Sequence, residues 1–299
     1  MLSFKQFKIN FTQKRNQMNK LSNIKYWLMT KSFGLVVNGV SLFNPEKAGH
    51  IAYNLFSNPR DGKLNAYSDF LQNANREIII YNEHQIQTYE WEGGKETVLL
   101  MHGWESNSNR WQGMIQYLKK KKYNIVSLDA PGQGMSSGKE FNAVLYAEFI
   151  NEVCQKYKPT YLIGHSLGGM TMFYAQSKYQ FPFVKKIIGL GSPNLFHRIT
   201  RNYKSLLSLN NRTYRSYLNI FVKKFDIDTT YFNSENFIEK INQPLLIIHD
   251  KDDSIVPYND AVQIVNKNPR VKFISTEKLG HSMFHNQVYK QAVSFLESE

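Results

Sequence analysis

An α/β fold, with a mostly parallel sheet covered by helices on both faces, is predicted by three observations. From Thr97 to Gly191 short apolar runs alternate with longer segments of helical periodicity. The apolar runs are nearly continuous, as strands buried on both faces require, rather than alternating polar and apolar. At 299 residues the chain can bury a large core as one catalytic-sized domain with additions.

The elements follow in chain order. Met1 to Lys31 is rich in lysine, asparagine and glutamine and contains no acid, and Lys5 interrupts any apolar run that would serve as a signal peptide. Ser32 to Pro45 is a charge-free stretch of 14 residues, short of the roughly 20 a bilayer span needs. It is predicted as a packed or interfacial helix, with docking on the protein body favoured. The alternative is contact with anionic lipid, since a basic arm leads into Phe33, Leu35, Val36, Val37, Val40, Leu42 and Phe43. Ala48 to Lys63 continues this helical extension, with Pro59-Arg60-Asp61-Gly62 as a turn.

Glu77 to Tyr81 and Ile86 to Glu92 read as antiparallel strands that start the sheet. Strands are then predicted at 97–101, 124–128, 160–164 and 186–191, with helices near 107–121, 141–157 and 167–180 between them. Ala143, Tyr146, Ala147, Ile150 and Val153 share one helical face and should be core. Between Pro193 and Gln243 the alternation lapses into a polar, aromatic-rich helical stretch, read as a cap whose aromatics chiefly pack it in place. Gln243 to His249 and Val271 to Ser275 complete the strands, and an amphipathic helix ends the chain. The expected division is an extension over 1–75, a core over 76–192 and 244–299, and a cap over 193–243.

Chemistry is carried first by Gly164-His165-Ser166-Leu167-Gly168-Gly169. Glycines two residues either side of a serine remove the side chains that collide across a sharp strand-to-helix bend, leaving Ser166 Oγ at its tip. Such a string arises by accident in roughly one chain in ten of this size, so its weight depends on the partners a hydroxyl nucleophile needs. Upstream, the strand Thr97 to Met101 ends in His102-Gly103-Trp104, a loop placed to supply a backbone donor; His102 is read as a brace of that loop. The N–H groups of Trp104 and Leu167 are assigned to the oxyanion of a tetrahedral intermediate.

Downstream, Asp250, Asp252 and Asp253 compete to orient the base. Asp253 is favoured as the deepest in its loop, and a solvated acidic turn suits Asp250 and Asp252 better. His281, in Leu279-Gly280-His281, is the expected base, because an imidazole titrating near pH 6.5 can take and return the serine proton. His285, expected in the first turn of the last helix, is the reserve. The order Ser166, Asp253, His281 fits a nucleophile in mid-sheet followed by its partners on later strands.

From about Glu77 onward these residues resemble the alpha/beta-hydrolase superfamily. Asp129-Ala130-Pro131-Gly132-Gln133-Gly134-Met135-Ser136 is similar to that family's aspartate-x-x-glycine-x-glycine-x-serine loop, in which Asp129 is read as a structural pin. The resemblance implies an eight-stranded sheet, a helical cap and a bacterial subgroup with an N-terminal helical extension. Asp250 departs from it, standing where many relatives carry glycine. Gly191-Ser192-Pro193-Asn194 offers no carboxylate for the variant that places its acid there. A serine nucleophile points away from dehalogenase and epoxide-hydrolase chemistry.

The expected activity is therefore hydrolysis of carboxylic esters or related acyl compounds through an acyl-serine, with a small-molecule acyl ester as substrate and no metal or cofactor. An acyl thioesterase, favoured by the basic cap, a lyase or perhydrolase, and a non-catalytic binding module tethered by the basic arm are the alternatives. The net charge of +13 invites a nucleic-acid reading, but no basic-aromatic strand motif, zinc finger or helix-turn-helix accompanies it, so no nucleic-acid partner is expected. The single cysteine, Cys154, cannot form an intrachain disulfide. A cytoplasmic location is expected, with peripheral contact at the inner membrane surface through the arm as the open addition.

Overall fold

A computed structural model describes residues 27–298, so that most of the basic arm read above, residues 1–26, lies outside the described residues. The described residues fall into two compact units. One comprises those up to Leu55 together with His197–Asp226, and the other comprises Phe56–Phe196 with Ile227 onward.

The larger unit is built on an eight-stranded sheet: β1 (Asn75–Tyr81), β2 (His84–Trp91), β3 (Thr97–Met101), β4 (Asn124–Leu128), β5 (Tyr161–His165), β6 (Lys186–Leu190), β7 (Leu245–Asp250) and β8 (Lys272–Thr276). Its order is β1-β2-β4-β3-β5-β6-β7-β8. β1 pairs antiparallel with β2, and β2 with β4; every other pairing is parallel. Every residue of β5, β6 and β7 is buried, which is why their sequences run apolar without alternation.

Helices supply the crossovers and cover both faces. In this unit α3 (Asp69–Gln72) precedes the sheet, and α4 (Gln112–Lys120), α5 (Ala143–Tyr157), α6 (Leu167–Tyr179), α9 (Ser234–Glu239), α10 (Tyr258–Lys267) and α11 (Asn286–Glu297) follow. Asn142 starts α5 by accepting the Leu145 N–H at 2.8 Å. The helix predicted near 107–121 opens instead as a 3-10 turn, Ser108–Trp111, because the Asn107 side chain accepts the Asn109 N–H and tightens the entry. On one face of the sheet Val98, Leu100, Ile163, Ile188, Leu246 and Ile248 belong to a core cluster shared with Met114 and Leu118 of α4 and Val288, Ala292 and Leu296 of α11. Each valine, leucine, isoleucine or methionine among them gains roughly 2 kcal/mol on leaving water, before the entropy of ordering the chain is subtracted.

Because the chain leaves β3 toward β4 and later returns to β5 on the other side, the order reverses at β3. The carboxyl ends of β3 and β5 therefore border the crevice where open α/β sheets bind their ligands.

The smaller unit is helical: α1 (27–43), the first part of α2 (Pro45–Ser57), α7 (Phe196–Leu207) from His197, and α8 (Asn211–Phe225). Tyr217 and Phe221 of α8 are buried, and Phe221 meets Tyr53 of α2 edge to face at 5.3 Å. Tyr203 OH donates to the Ala52 carbonyl at 2.8 Å. Among the described residues, no helix is long and apolar enough to cross a membrane.

Candidate active site

Ser166 stands between the last residue of β5 and the first of α6, with φ 52° and ψ −129°, a left-handed conformation that a non-glycine residue adopts only under constraint. The constraint is steric and local. A Cβ on Gly164 would come within 2.6 Å of Gly169 Cα, and one on Gly168 would overlap the carbonyl oxygens of His102 and Met101. The bend is thus compressed against the end of β3, and the Ser166 N–H is tied to the Leu190 carbonyl of β6 at 2.9 Å. Gly103 lies directly on the serine: a Cβ there would fall 2.9 Å from Ser166 Cβ. Trp104 follows in the same loop, its ring edge-to-face with Phe141 at 5.3 Å. Leu167 opens α6, so its N–H is one of the terminal amides that have no acceptor within the helix.

His281 comes to the serine from 115 residues away: its Nε2 is 3.0 Å from Ser166 Oγ, and its Nδ1 is 2.8 Å from Asp253 Oδ2. The carboxylate accepts from Nδ1–H, which leaves Nε2 as the acceptor for the serine hydroxyl. Asp253 Oδ1 accepts the N–H groups of Ile255 and Val256, each at 2.9 Å. Burial works to raise the Asp253 pKa. The hydrogen bonds from His281 and from those two amides outweigh it and hold the carboxyl below the usual aspartate value.

The three aspartates of the loop separate cleanly. Asp252 is exposed and accepts the Lys278 N–H at 2.7 Å. Asp250 is not the solvated residue expected from sequence; it is fully buried. Its Oδ1 accepts the N–H groups of Asp252 and Gly280, and its Oδ2 accepts Thr276 Oγ1 and the Leu279 N–H. These bonds tie the end of β7 to the segment immediately before His281. They outweigh the burial that opposes ionisation and keep Asp250 below the ordinary aspartate range.

His102 is buried, its Nδ1–H donating to the Gly103 carbonyl at 2.8 Å while Nε2 accepts the Ala130 N–H at 2.9 Å. Burial depresses its pKa to about 4 despite Asp129 Oδ1 at 3.9 Å, so the ring is neutral and of fixed tautomer at neutral pH. Asp129 has the pinning contacts expected of it, accepting from the Ser108 N–H and hydroxyl, the Met135 N–H and Tyr89 OH. His285 is the N-cap of α11 rather than part of its first turn, and its Nδ1 accepts the Gln287 N–H.

Two further histidines lie near the site: His165, expected from the sequence as a structural residue beside the nucleophile, and His249, for which the sequence predicts no role. His165 Nε2–H donates to the His281 carbonyl at 2.8 Å, and burial holds its pKa well below 6.5. His249 Nε2–H donates to the Val256 carbonyl at 3.0 Å beside Asp253 Oδ2 at 3.4 Å. Arg110 adds a third clamp, donating to the Ser282 carbonyl at 2.9 Å and stacking on Phe284. None has a local sequence signature, because each acts on a backbone carbonyl.

Comparison with known proteins agrees with this architecture. The family model of the alpha/beta hydrolase fold matches residues 96–229. The chain is 23% identical over 224 residues to the inferred esterase/lipase 2 of Mycoplasma genitalium, covering 63% of this chain and 83% of that protein. It is 29% identical over 112 residues to phospholipase YtpA of Bacillus subtilis, a match to 35% of this chain and 43% of the phospholipase. Among solved structures, Est1E of Butyrivibrio proteoclasticus with ferulic acid bound superposes with a TM-score of 0.60 at 18% identity, covering 74% of this chain and 97% of that one. Eight strands in this order, a serine at the strand-to-helix bend and the family match together show that the chain has the alpha/beta-hydrolase fold.

Proposed function

We propose that the protein is a serine hydrolase that cleaves carboxylic esters through an acyl-serine intermediate, with Ser166, His281 and Asp253 as the catalytic residues. The carrying observation is the continuous hydrogen-bonded relay from Ser166 Oγ through the imidazole to the Asp253 carboxylate, at 3.0 and 2.8 Å. The esterase, lipase and phospholipase names of similar proteins support acyl chemistry of this kind.

Ser166 Oγ attacks the ester carbonyl carbon as its proton passes to His281 Nε2. Asp253, ionised at neutral pH, stabilises the imidazolium and keeps Nδ1 toward itself. The carbonyl oxygen becomes an oxyanion, received by the N–H groups of Trp104 and Leu167; removing one donor of this type costs about 3 kcal/mol of transition-state stabilisation. Collapse expels the alcohol, which takes the proton from Nε2. Water then repeats the sequence on the acyl-serine and releases the acid. His102, Gly103, Gly164, His165 and Gly168 act on the geometry without touching the reacting atoms.

Exposure to a fluorophosphonate probe and to p-nitrophenyl acyl esters tests the reading. Wild type should be labelled and turn over the esters, and Ser166→Ala should do neither. Labelling of Ser166→Ala at the wild-type rate defeats the proposal. The matching acyl thioesters, run beside the oxyesters, rank the two leaving groups by kcat/KM.

A further inference from the structure

The first helix presents the wrong face to solvent for a water-soluble surface. Along α1 the residues turned inward are Thr30, Gly34, Val37 and Ser41, mostly small or polar. They let the helix approach α7 backbone to backbone, since a Cβ on Gly34 would overlap the Leu207 carbonyl oxygen. Polar bonds complete the docking. Asn38 donates from Nδ2 to the Ser208 carbonyl, and its Oδ1 accepts the Asn210 N–H, both at 2.9 Å. Lys31 Nζ donates to the Ser205 carbonyl and the Ser208 hydroxyl.

The outward face is apolar instead. Leu28, Leu35 and Leu42 recur every seven residues, and Val36 and Phe43 lie beside them with only Ser32 and Gly39 between. Leu35 is 74% exposed, Phe43 90%. No charged residue interrupts this face, and it runs for roughly 25 Å along the 17 residues from 27 to 43. Contiguous exposed apolar surface of this kind marks an interaction site.

Charge selects the partner. Residues 27–55 and 197–226 hold nine lysines and arginines against two acids, Glu46 and Asp226, and the preceding 26 residues hold six more bases and no acid. Arg201, Lys204 and Arg215 line an open groove of about 870 Å³ between α7 and α8, with Ser205, Ser208 and Asn211. Lys31 of α1 reaches its edge through Ser205 and Ser208. An apolar helix face whose flanking Lys31 reaches a cationic groove fits an interface that is apolar inside and anionic outside.

We propose that this surface docks the protein on an anionic lipid bilayer, the α1 side chains entering the acyl boundary and the groove cations binding headgroup phosphate. The helix is proposed to lie on the membrane rather than through it, since among the described residues no helix is long and apolar enough to span. The inference is independent of the catalytic reading, because Ser166→Ala should bind vesicles as wild type does.

Sedimentation of the full chain with vesicles of phosphatidylglycerol and phosphatidylcholine, or of phosphatidylcholine alone, tests it. Wild type should partition about tenfold more strongly to the anionic vesicles, and raising the salt should remove most of that preference. Phe43→Ser, and Leu35→Glu with Phe43→Glu, should lower partitioning about tenfold while p-nitrophenyl ester turnover and thermal unfolding stay as in wild type. Arg201→Gln with Arg215→Gln should erase the preference for anionic lipid. Wild type that fails to pellet with anionic vesicles overturns the proposal, and that arm needs no variant to fold. So does a wild-type dimer in sedimentation velocity that Phe43→Ser converts to monomer, which would assign the face to a second copy of the chain.

Discussion

Asp250 accepts the N–H of Gly280 at 3.0 Å, so one buried carboxylate fixes the backbone immediately before His281, while Asp253, three residues further on, bonds the imidazole itself. In the proposed mechanism these two neighbouring acids divide positioning from chemistry. Asp253→Asn should lower kcat by about three to four orders of magnitude with little loss of stability, because the amide favours the wrong imidazole tautomer. Asp250→Ala should instead lower the unfolding free energy by about 3 kcal/mol, since buried N–H groups lose their acceptor. Kinetics and denaturant titration of both variants check the division; equal kinetic losses would contradict it.

Backbone strain at Ser166 yields a second outcome of opposite sign for stability and activity. With φ at 52° and ψ at −129°, the residue sits where glycine is at ease. Ser166→Gly should raise stability by about 1 kcal/mol while abolishing ester hydrolysis. A destabilised Ser166→Gly protein, by urea midpoint, would mean that the bend is relaxed.

Close packing behind the nucleophile makes Gly168 intolerant of any side chain. Since a Cβ would overlap the His102 and Met101 carbonyl oxygens, Gly168→Ala should cost about 3 kcal/mol or misfold the bend. A melting temperature unchanged from wild type would show that the two backbones can separate freely.

Acid should destabilise the fold before its carboxylates titrate. In the unfolded chain a histidine titrates near pH 6.5, whereas burial lowers the folded pKa of His102 to about 4 and that of His165 well below 6.5. The unfolded state therefore binds more protons, so this stability is complete above about pH 6.5 and is lost as pH falls toward 4. For His102 the slope is about 1.4 kcal/mol per pH unit, or about 3 kcal/mol over the window. Urea unfolding at pH 7.5 and pH 5 measures it, and equal stabilities would refute buried neutral imidazoles.

The parts legible in the sequence were those set by local chemistry. Leu99, Leu100, Leu162 and Ile163 announce strands because burial on both faces removes alternation. Ser166 was legible because only glycine permits its bend. The choice among Asp250, Asp252 and Asp253 could be argued only from loop depth, and the burial of Asp250 ran against expectation. Its partners, Thr276, Leu279 and Gly280, lie 26 to 30 residues away. His165 gave no sign of its bond to a carbonyl 116 residues distant. The helix of α1 was legible as an apolar segment that either docks on the body or lies on lipid, but which of its residues turn inward was not, because that depends on its contacts with residues 170 and 174 positions away.

The central claim is a covalent acyl group on one serine, and mass spectrometry of the protein quenched early after mixing with a p-nitrophenyl ester tests it most directly. Wild type should gain one acyl group, localised to the peptide that carries Ser166, with a matching burst of p-nitrophenol, and Ser166→Ala should show neither. An adduct on another residue, or turnover by Ser166→Ala near the wild-type rate, would contradict the account.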